Sequence, residues 1–301
     1  MENSDRLLVF FIFIITQAHA QIFIQTKTVY IYNDSLQVKI YNRSDNGLLY
    51  FNMHDDENLC VEEAVNLLEN TGGRLIELKH FGGLEDKARH FSVKKNNKIY
   101  TFDPNRIFTN SDSVRAITLV EHRQFYQAVN QLKKLSASQM PTEAECVLFA
   151  KNELKQLADT LISLLDTTKA KIIVALHNNH SFEPRCDDNC NFRHGSYNLG
   201  TYFRHETEEN ASADEIYINP KRNLSGFFIV LNHPVFMQAQ THRCNVILQA
   251  ENAPDDGSFS VFAQHQGLNY INIEAKRDSP DEQRVLLRTL SDMLMEWRIE
   301  P

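Results

Sequence analysis

Three apolar runs in this sequence each end on a residue that can bind a metal or move a proton. Leu48 to Met53 leads into His54-Asp55-Asp56-Glu57, an H-x-x-E; Lys171 to Leu176 leads into His177; and the run from Tyr270 to Ile273 leads into Glu274. Two histidines and one carboxylate are a common ligand set for catalytic zinc, because three protein ligands leave a fourth position open for water. Residues three apart in a tight turn or a first helical turn can aim at one point, which is what His54 and Glu57 need. Singly, each signal is weak. An H-x-x-E arises often by chance, and the chain holds 12 histidines, any one of which is more often simply hydrogen-bonded. The combination is stronger, because each residue closes a buried strand and open α/β sheets gather ligands at the carboxyl ends of their strands. His180 competes with His177 as third ligand, and His177 is preferred because it directly follows the apolar run. Histidine and carboxylate ligands discriminate poorly among divalent ions by affinity alone, so zinc is the expected metal and not a required one.

The elements that must hold these residues follow from periodicity. Residues 22 to 32 and 36 to 41 alternate apolar and polar residues around Asn33-Asp34-Ser35, which predicts a β-hairpin. Leu48 to Met53 is a buried strand, Val61 to Leu68 a helix stopped by Gly72-Gly73, and strands follow at Arg74 to Leu78 and Lys98 to Phe102. Helical stretches are expected near 121–135 and 142–165, ahead of the strand that ends on His177. Residues 178 to 213 are polar and lack an apolar period, the mark of a long loop of the kind that often serves function. Strand-like runs return at Ile216–Ile218, Phe227–Leu231, Asn245–Leu248 and Tyr270–Ile273, and Gln283 to Trp297 has a helical apolar face. Asp255-Asp256-Gly257-Ser258 reads as a polar hairpin turn rather than a metal site. Strands alternating with helices predict one α/β domain over residues 21–301, with a mixed twisted sheet and helices on both faces.

Composition narrows the function classes. The chain has 301 residues, 42% hydrophobic and 23% charged, with a formal net charge of -8. It has no basic cluster, so nucleic acid is not an expected partner. Arg6, the apolar run Leu7 to Ile15 and Ala18-His19-Ala20 describe a secretory signal cleaved after Ala20, too short to span a bilayer comfortably. Secretion, or export to a periplasm, is therefore expected, with no later segment of transmembrane length. The five cysteines, Cys60, Cys146, Cys186, Cys190 and Cys244, leave at least one free thiol or intermolecular bond, and Cys186 with Cys190 can form a local disulfide or remain free.

With these residues in hand, the sequence resembles the zinc carboxypeptidases and their relatives, the amidases and deacylases of the aspartoacylase and succinylglutamate desuccinylase type. The order His54-x-x-Glu57, Asp103-Pro104-Asn105-Arg106-Ile107-Phe108, His177, Glu274 matches that family's order across about residues 48 to 276. Both middle residues of the H-x-x-E are Asp here, where the family usually has a Gly. The long segment after His177 has no counterpart, and Tyr197 and Tyr202 are candidates for a substrate-facing tyrosine by position alone. The resemblance implies a metallocarboxypeptidase-like fold with one Zn²⁺ per chain, held by His54, Glu57 and His177. It implies Glu274 as the general base, Arg106 as the cation for a substrate carboxylate or developing oxyanion, Asn105 as its hydrogen-bonding companion, and Arg89 as a second family arginine. A guanidinium suits the Arg106 role because its donors form a planar fork. Asp103-Pro104-Asn105 is also good turn chemistry.

The expected activity is amide-bond hydrolysis on a peptide or an acyl amino acid. A carboxypeptidase or cell-wall peptide amidase leads, ahead of an N-acyl amino acid deacylase and of a non-catalytic binding protein on the same fold. Only about twenty-five residues follow Glu274, against the additional C-terminal domain usual in the deacylase relatives.

Overall fold

The computed structural model describes residues 21–79, 89–121, 139–179, 199, 212–276 and 279–297. The expected signal segment, His180, the Cys186/Cys190 pair, Tyr197, Tyr202 and most of the 121–135 stretch lie outside them.

In chain order the strands are β1 (Phe23–Ile31), β2 (Asp34–Asn42), β3 (Leu48–Asn52), β4 (Arg74–Lys79), β5 (Phe91–Lys95), β6 (Lys98–Phe102), β7 (Ile172–Asn179), β8 (Ala213–Tyr217), β9 (Phe227–Val230), β10 (Val246–Gln249) and β11 (Tyr270–Lys276). The α-helices with both ends defined are α1 (Asn58–Thr71), α2 (Glu143–Phe149), α3 (Lys155–Leu165), α4 (His233–Thr241), α5 (Phe259–His265) and α6 (Pro280–Trp297). Residues 112–121 are also helical.

Among the described residues, nine strands form one sheet in the order β1-β2-β4-β3-β7-β11-β9-β10-β8, and β5 with β6 forms a separate hairpin. The expected opening hairpin is present as β1 against β2. The sheet is mixed. Its centre, β4-β3-β7-β11, is parallel throughout, while β2 against β4 and β9 against β11 are antiparallel. Strands covered on both faces read as continuous apolar runs instead of alternating ones, and β3 is buried at all five positions.

Both faces are covered, as the α/β pattern predicts. Leu49, Phe51, Ile173, Ala175 and Tyr270 pack on one face with Leu157 and Leu161 of α3 and Phe259 of α5. Leu48, Tyr50, Val174, Leu176, Ile271 and Ile273 pack on the other with Leu68 of α1, Phe236 of α4 and Leu290 of α6. The 142–165 stretch is α2, a π-helical segment at Ala150–Leu154, and α3. Its start is sharp because Thr142 and Glu145 form a capping box. Gly73 allows β4 to start beside β3. At φ +96° a Cβ there would stand 2.6 Å from the Leu48 carbonyl oxygen.

The structure differs from the sequence reading in a few elements. α4, α5 and β5 are additional, and Asp255 to Ser258 links β10 to α5 rather than closing a hairpin. β7 and β11 run past His177 and Glu274, to Asn179 and Lys276.

Phe51, 1% exposed, joins the core to the end of β3 that leads to His54. Its ring centroid lies 4.7 Å from that of Phe259 and 6.5 Å from that of Tyr270. Phe51→Ala is expected to reduce stability by about 3–5 kcal/mol, the usual cost of emptying a core aromatic position. Urea unfolding of the two proteins checks this.

Candidate metal centre

β3, β7 and β11 deliver the site from the middle of the sheet. Backbone alternation carries His177 and Glu274 on the same face as Ala175 and Tyr270, and the two are register partners across the parallel β7–β11 pair. His54 lies just beyond β3, where the chain turns so that the Glu57 N–H donates to the His54 carbonyl at 3.1 Å. Glu57 is the N-cap of α1, yet its side chain makes no capping bond. It is turned toward the histidines instead.

The geometry converges on one carboxylate oxygen. Glu57 Oε2 lies 3.2 Å from His54 Nδ1 and 3.2 Å from His177 Nδ1. One ligand atom from each of the three residues can be chosen so that all lie within 4.8 Å of one another, and all three residues are buried. Tetrahedral ligands on bonds of about 2.0–2.1 Å stand about 3.3 Å apart, so the spacing fits a small divalent cation. His54 Nδ1 is close to Glu57 but not aligned for a hydrogen bond, and it has no other partner among the described residues. A buried polar atom left unmatched in this way calls for an ion or a proton.

Charge around the trio is balanced by a second ring of groups. His54 Nε2 meets Asp103 Oδ1 at 2.8 Å, which directs the Nδ1 lone pair of a neutral His54 toward Glu57. Asp103 is itself held by the 3₁₀ turn at Pro104–Arg106, accepting from Asn105 N at 2.8 Å, and its own N–H donates to Thr118 Oγ1. Arg89 bridges the inner and outer carboxylates, donating to Glu57 Oε1 at 3.1 Å with its Nε 3.5 Å from Asp103 Oδ2. Within the H-x-x-E, Asp55 accepts from Lys79 Nζ at 2.9 Å. A glycine could not make that ion pair.

Without a cation, these groups share protons. Burial and the Arg89 guanidinium oppose a charged His54, but the Glu57 and Asp103 carboxylates outweigh them and push it up to about 9. Burial also opposes ionisation of Glu57, and the two imidazoles overcome it, holding the carboxyl well below the usual range. Asp103 behaves likewise, kept low against its burial by His54, Arg89 and Arg106. Glu274 is shifted the other way. Burial, reinforced by the negative Glu57, raises it. Asn272 Nδ2 donates to its Oε1 at 3.1 Å. Cys60, Cys146 and Cys244 are buried, and burial raises Cys60 well above an ordinary thiol.

The structure therefore brings His54, Glu57 and His177 together with Glu274 beside them. Arg89, expected at the substrate, contacts Glu57 and Asp103. Asn105 and Arg106 adjoin through Asp103, but Asn105 Oδ1 accepts from Phe259 N at 3.2 Å and Arg106 is ion-paired with Asp256. Sequence reasoning missed Asp103 as the partner of His54 and Asn272 as the partner of Glu274, and it read Asp256, the partner of Arg106, only as part of a turn. Only Asp103 carried a signal, as the acidic first residue of the Asp-x-Asn-Arg string. Asp103→Asn retains the acceptor for Asn105 N but removes the carboxylate behind His54. It is expected to weaken metal binding about 10–100-fold, measured by chelator competition.

No protein-family model matches the chain, and no curated protein does. Among solved structures it is similar to a succinylglutamate desuccinylase/aspartoacylase from Rhodobacter sphaeroides, at 10% identity and a TM-score of 0.41, over 92% of this chain and 65% of that one. It is also similar to a candidate metallopeptidase from Shewanella amazonensis SB2B, at 12% identity and a TM-score of 0.35, over 90% of this chain and 87% of that one. The chain thus spans a little under two thirds of the length of the first. Similarity at this level carries no weight on function, which rests on the residues of the site.

Proposed function

We propose that this chain is an exported, metal-dependent hydrolase of amide bonds, with zinc in the site formed by His54, Glu57 and His177. The observation that carries the reading is the convergence of two buried imidazole nitrogens on one oxygen of Glu57, with His54 Nδ1 otherwise unmatched. When bound, a divalent cation there supplies Lewis acidity toward a carbonyl and lowers the pKa of water.

The remaining chemistry belongs to the chain. Glu274, one strand over from His177 and raised by burial, takes a proton from the attacking water and passes it to the leaving nitrogen. Asp103 orients His54, and Arg89 offsets the negative charge of Glu57 and Asp103. Asn105 and Arg106, whose backbone N–H groups both donate to Asp103, are the groups assigned here to holding the substrate. A peptide substrate is the first choice and an N-acyl amino acid the second, both in keeping with the family that the motif order resembles. Export rests on the apolar leader before Ala20. No helix among the described residues is long and apolar enough to cross a membrane.

The test is elemental analysis of wild type and His54→Ala after zinc is supplied, alongside hydrolysis of peptides and acyl amino acids. About one zinc per chain, absent from the variant, with turnover only in wild type, supports the reading. No metal in either protein overturns it.

A further inference from the structure

The sequence holds five Asn-x-Ser triplets, at Asn33, Asn42, Asn179, Asn210 and Asn223. In an exported chain such a triplet is the acceptor for an N-linked oligosaccharide, which is bulky and hydrated and so needs an asparagine open to solvent. The fold separates the candidates. Asn179 is 5% exposed and its Nδ2 donates to the Ser225 carbonyl at 2.8 Å, so the nitrogen that would bear a sugar is committed inside the protein. Asn210 lies outside the described residues, and Asn223 is bound into a turn, its Oδ1 accepting from Ser225 N at 2.9 Å. Asn33 and Asn42 are both exposed and both belong to the β1–β2 hairpin. Asn33 sits in its turn and Asn42 is the last residue of β2.

That hairpin is also where the sheet is open. β1 stands at one end of the nine-stranded order, its outer edge without a partner strand among the described residues. An open edge invites pairing with another chain, and folded proteins blunt it with charges, proline or a cover. β1 has one charged residue, Lys27, among its nine, and no proline. Large apolar side chains stand in solvent at both ends of the hairpin edge, Phe23 at 66% exposure beside Ile24, and Tyr30 at 73% beside the turn residue Tyr32. The two asparagines fall at those same two ends. Asn42 is the register partner of Phe23, Tyr32 immediately precedes Asn33, and Tyr30 is paired with Ser35 of the same triplet. Directly opposed residues of an antiparallel pair share a face, with Cβ atoms about 5 Å apart. A sugar on either asparagine therefore lies beside an exposed aromatic ring.

We propose that Asn33 and Asn42 carry N-linked oligosaccharides, and that these cover the open edge of β1. The inference rests on the export part of the hydrolase reading and not on the metal site. In the transfer, asparagine Nδ2 bonds to the anomeric carbon of an oligosaccharide held on a lipid diphosphate. The bond from that carbon to the diphosphate oxygen breaks, the lipid diphosphate leaves, and Nδ2 gives up one proton. A chain modified at Asn179 could not close its fold, so the folded, exported protein carries no sugar there.

The test expresses the full chain, with its own leader, in insect cells. The secreted protein is treated with peptide:N-glycosidase in heavy-oxygen water, which leaves a labelled aspartate wherever a sugar stood, and is mapped by peptide mass. Label at Asn33 and Asn42 and none at Asn179 is the expected result. Asn33→Gln and Asn42→Gln each lose one glycan from the intact mass. Ser35→Ala loses the Asn33 glycan, and Ser35→Thr keeps it, because threonine preserves the triplet. Light scattering over a concentration series then compares the secreted protein with the same sample stripped of its sugars by the enzyme, so that no variant has to fold. The glycosylated protein stays monomeric and the stripped one associates. A secreted protein unmodified at Asn33 or Asn42, or modified at Asn179, overturns the proposal, and a stripped protein that stays monomeric overturns the covering role. A chain kept inside the cell with its leader attached overturns it through export. That failure is distinct from absence of zinc or turnover, which would strike the metal site alone.

Discussion

Glu274→Gln is expected to bind zinc as wild type does and to lose hydrolysis by about 10²–10⁴-fold in kcat, the range supplied by a positioned general base. The substitution is nearly isosteric, and the glutamine carbonyl can still accept from Asn272 Nδ2, the contact that holds Glu274 at 3.1 Å. Glu274 is no member of the three-residue ligand group, so the metal should remain. An amide cannot take a proton from water, and that function alone is removed. Zinc content by elemental analysis and kcat on the best substrate of a peptide and acyl amino acid panel check the two halves. Hydrolysis within about tenfold of wild type would remove Glu274 from the role of base.

His177→Ala is expected to abolish stoichiometric zinc binding, whereas His180→Ala leaves it intact. His177 supplies one of the two imidazole nitrogens 3.2 Å from Glu57 Oε2, and its ring centroid stands 5.1 Å from that of His54. Its loss leaves one imidazole and one carboxylate, too few for a site that uses three protein ligands. Elemental analysis after equilibrium dialysis decides the case, and zinc lost from His180→Ala but kept by His177→Ala would move the third ligand.

Much of this arrangement was visible in the chain because central parallel strands advertise themselves. Leu48 to Met53 and Lys171 to Leu176 read as continuous apolar runs, so a histidine following each stood out, and the sheet centre then set them side by side. Elements lacking such runs were missed. β5 ends in Lys94-Lys95 and turns through Asn96-Asn97 at φ 51° and 60°, a tight hairpin whose polar residues mask its strand. α4 and α5 span only nine and seven residues, too short for a helical period to declare itself. The outer groups were hidden for another reason. Arg89 meets Glu57 across 32 positions, His54 meets Asp103 across 49, and Arg106 meets Asp256 across 150. No local pattern records such distances, so Asp255-Asp256 looked like turn chemistry. The ligand trio came from strand ends, and its environment came only from the fold.

The 120-residue separation between Glu57 and His177 has a thermodynamic consequence. In an unfolded chain these groups are distant and cannot chelate together, so a cation bound by all three belongs to the native state alone. Occupancy then shifts the unfolding equilibrium by mass action, by about 2.7 kcal/mol when free metal is 100-fold above its dissociation constant. The ion would tie the β3–α1 turn to β7 much as a cross-link does, drawing the melting temperature upward with zinc concentration. Loss of metal would then surface as a folding defect before any assay of hydrolysis revealed it.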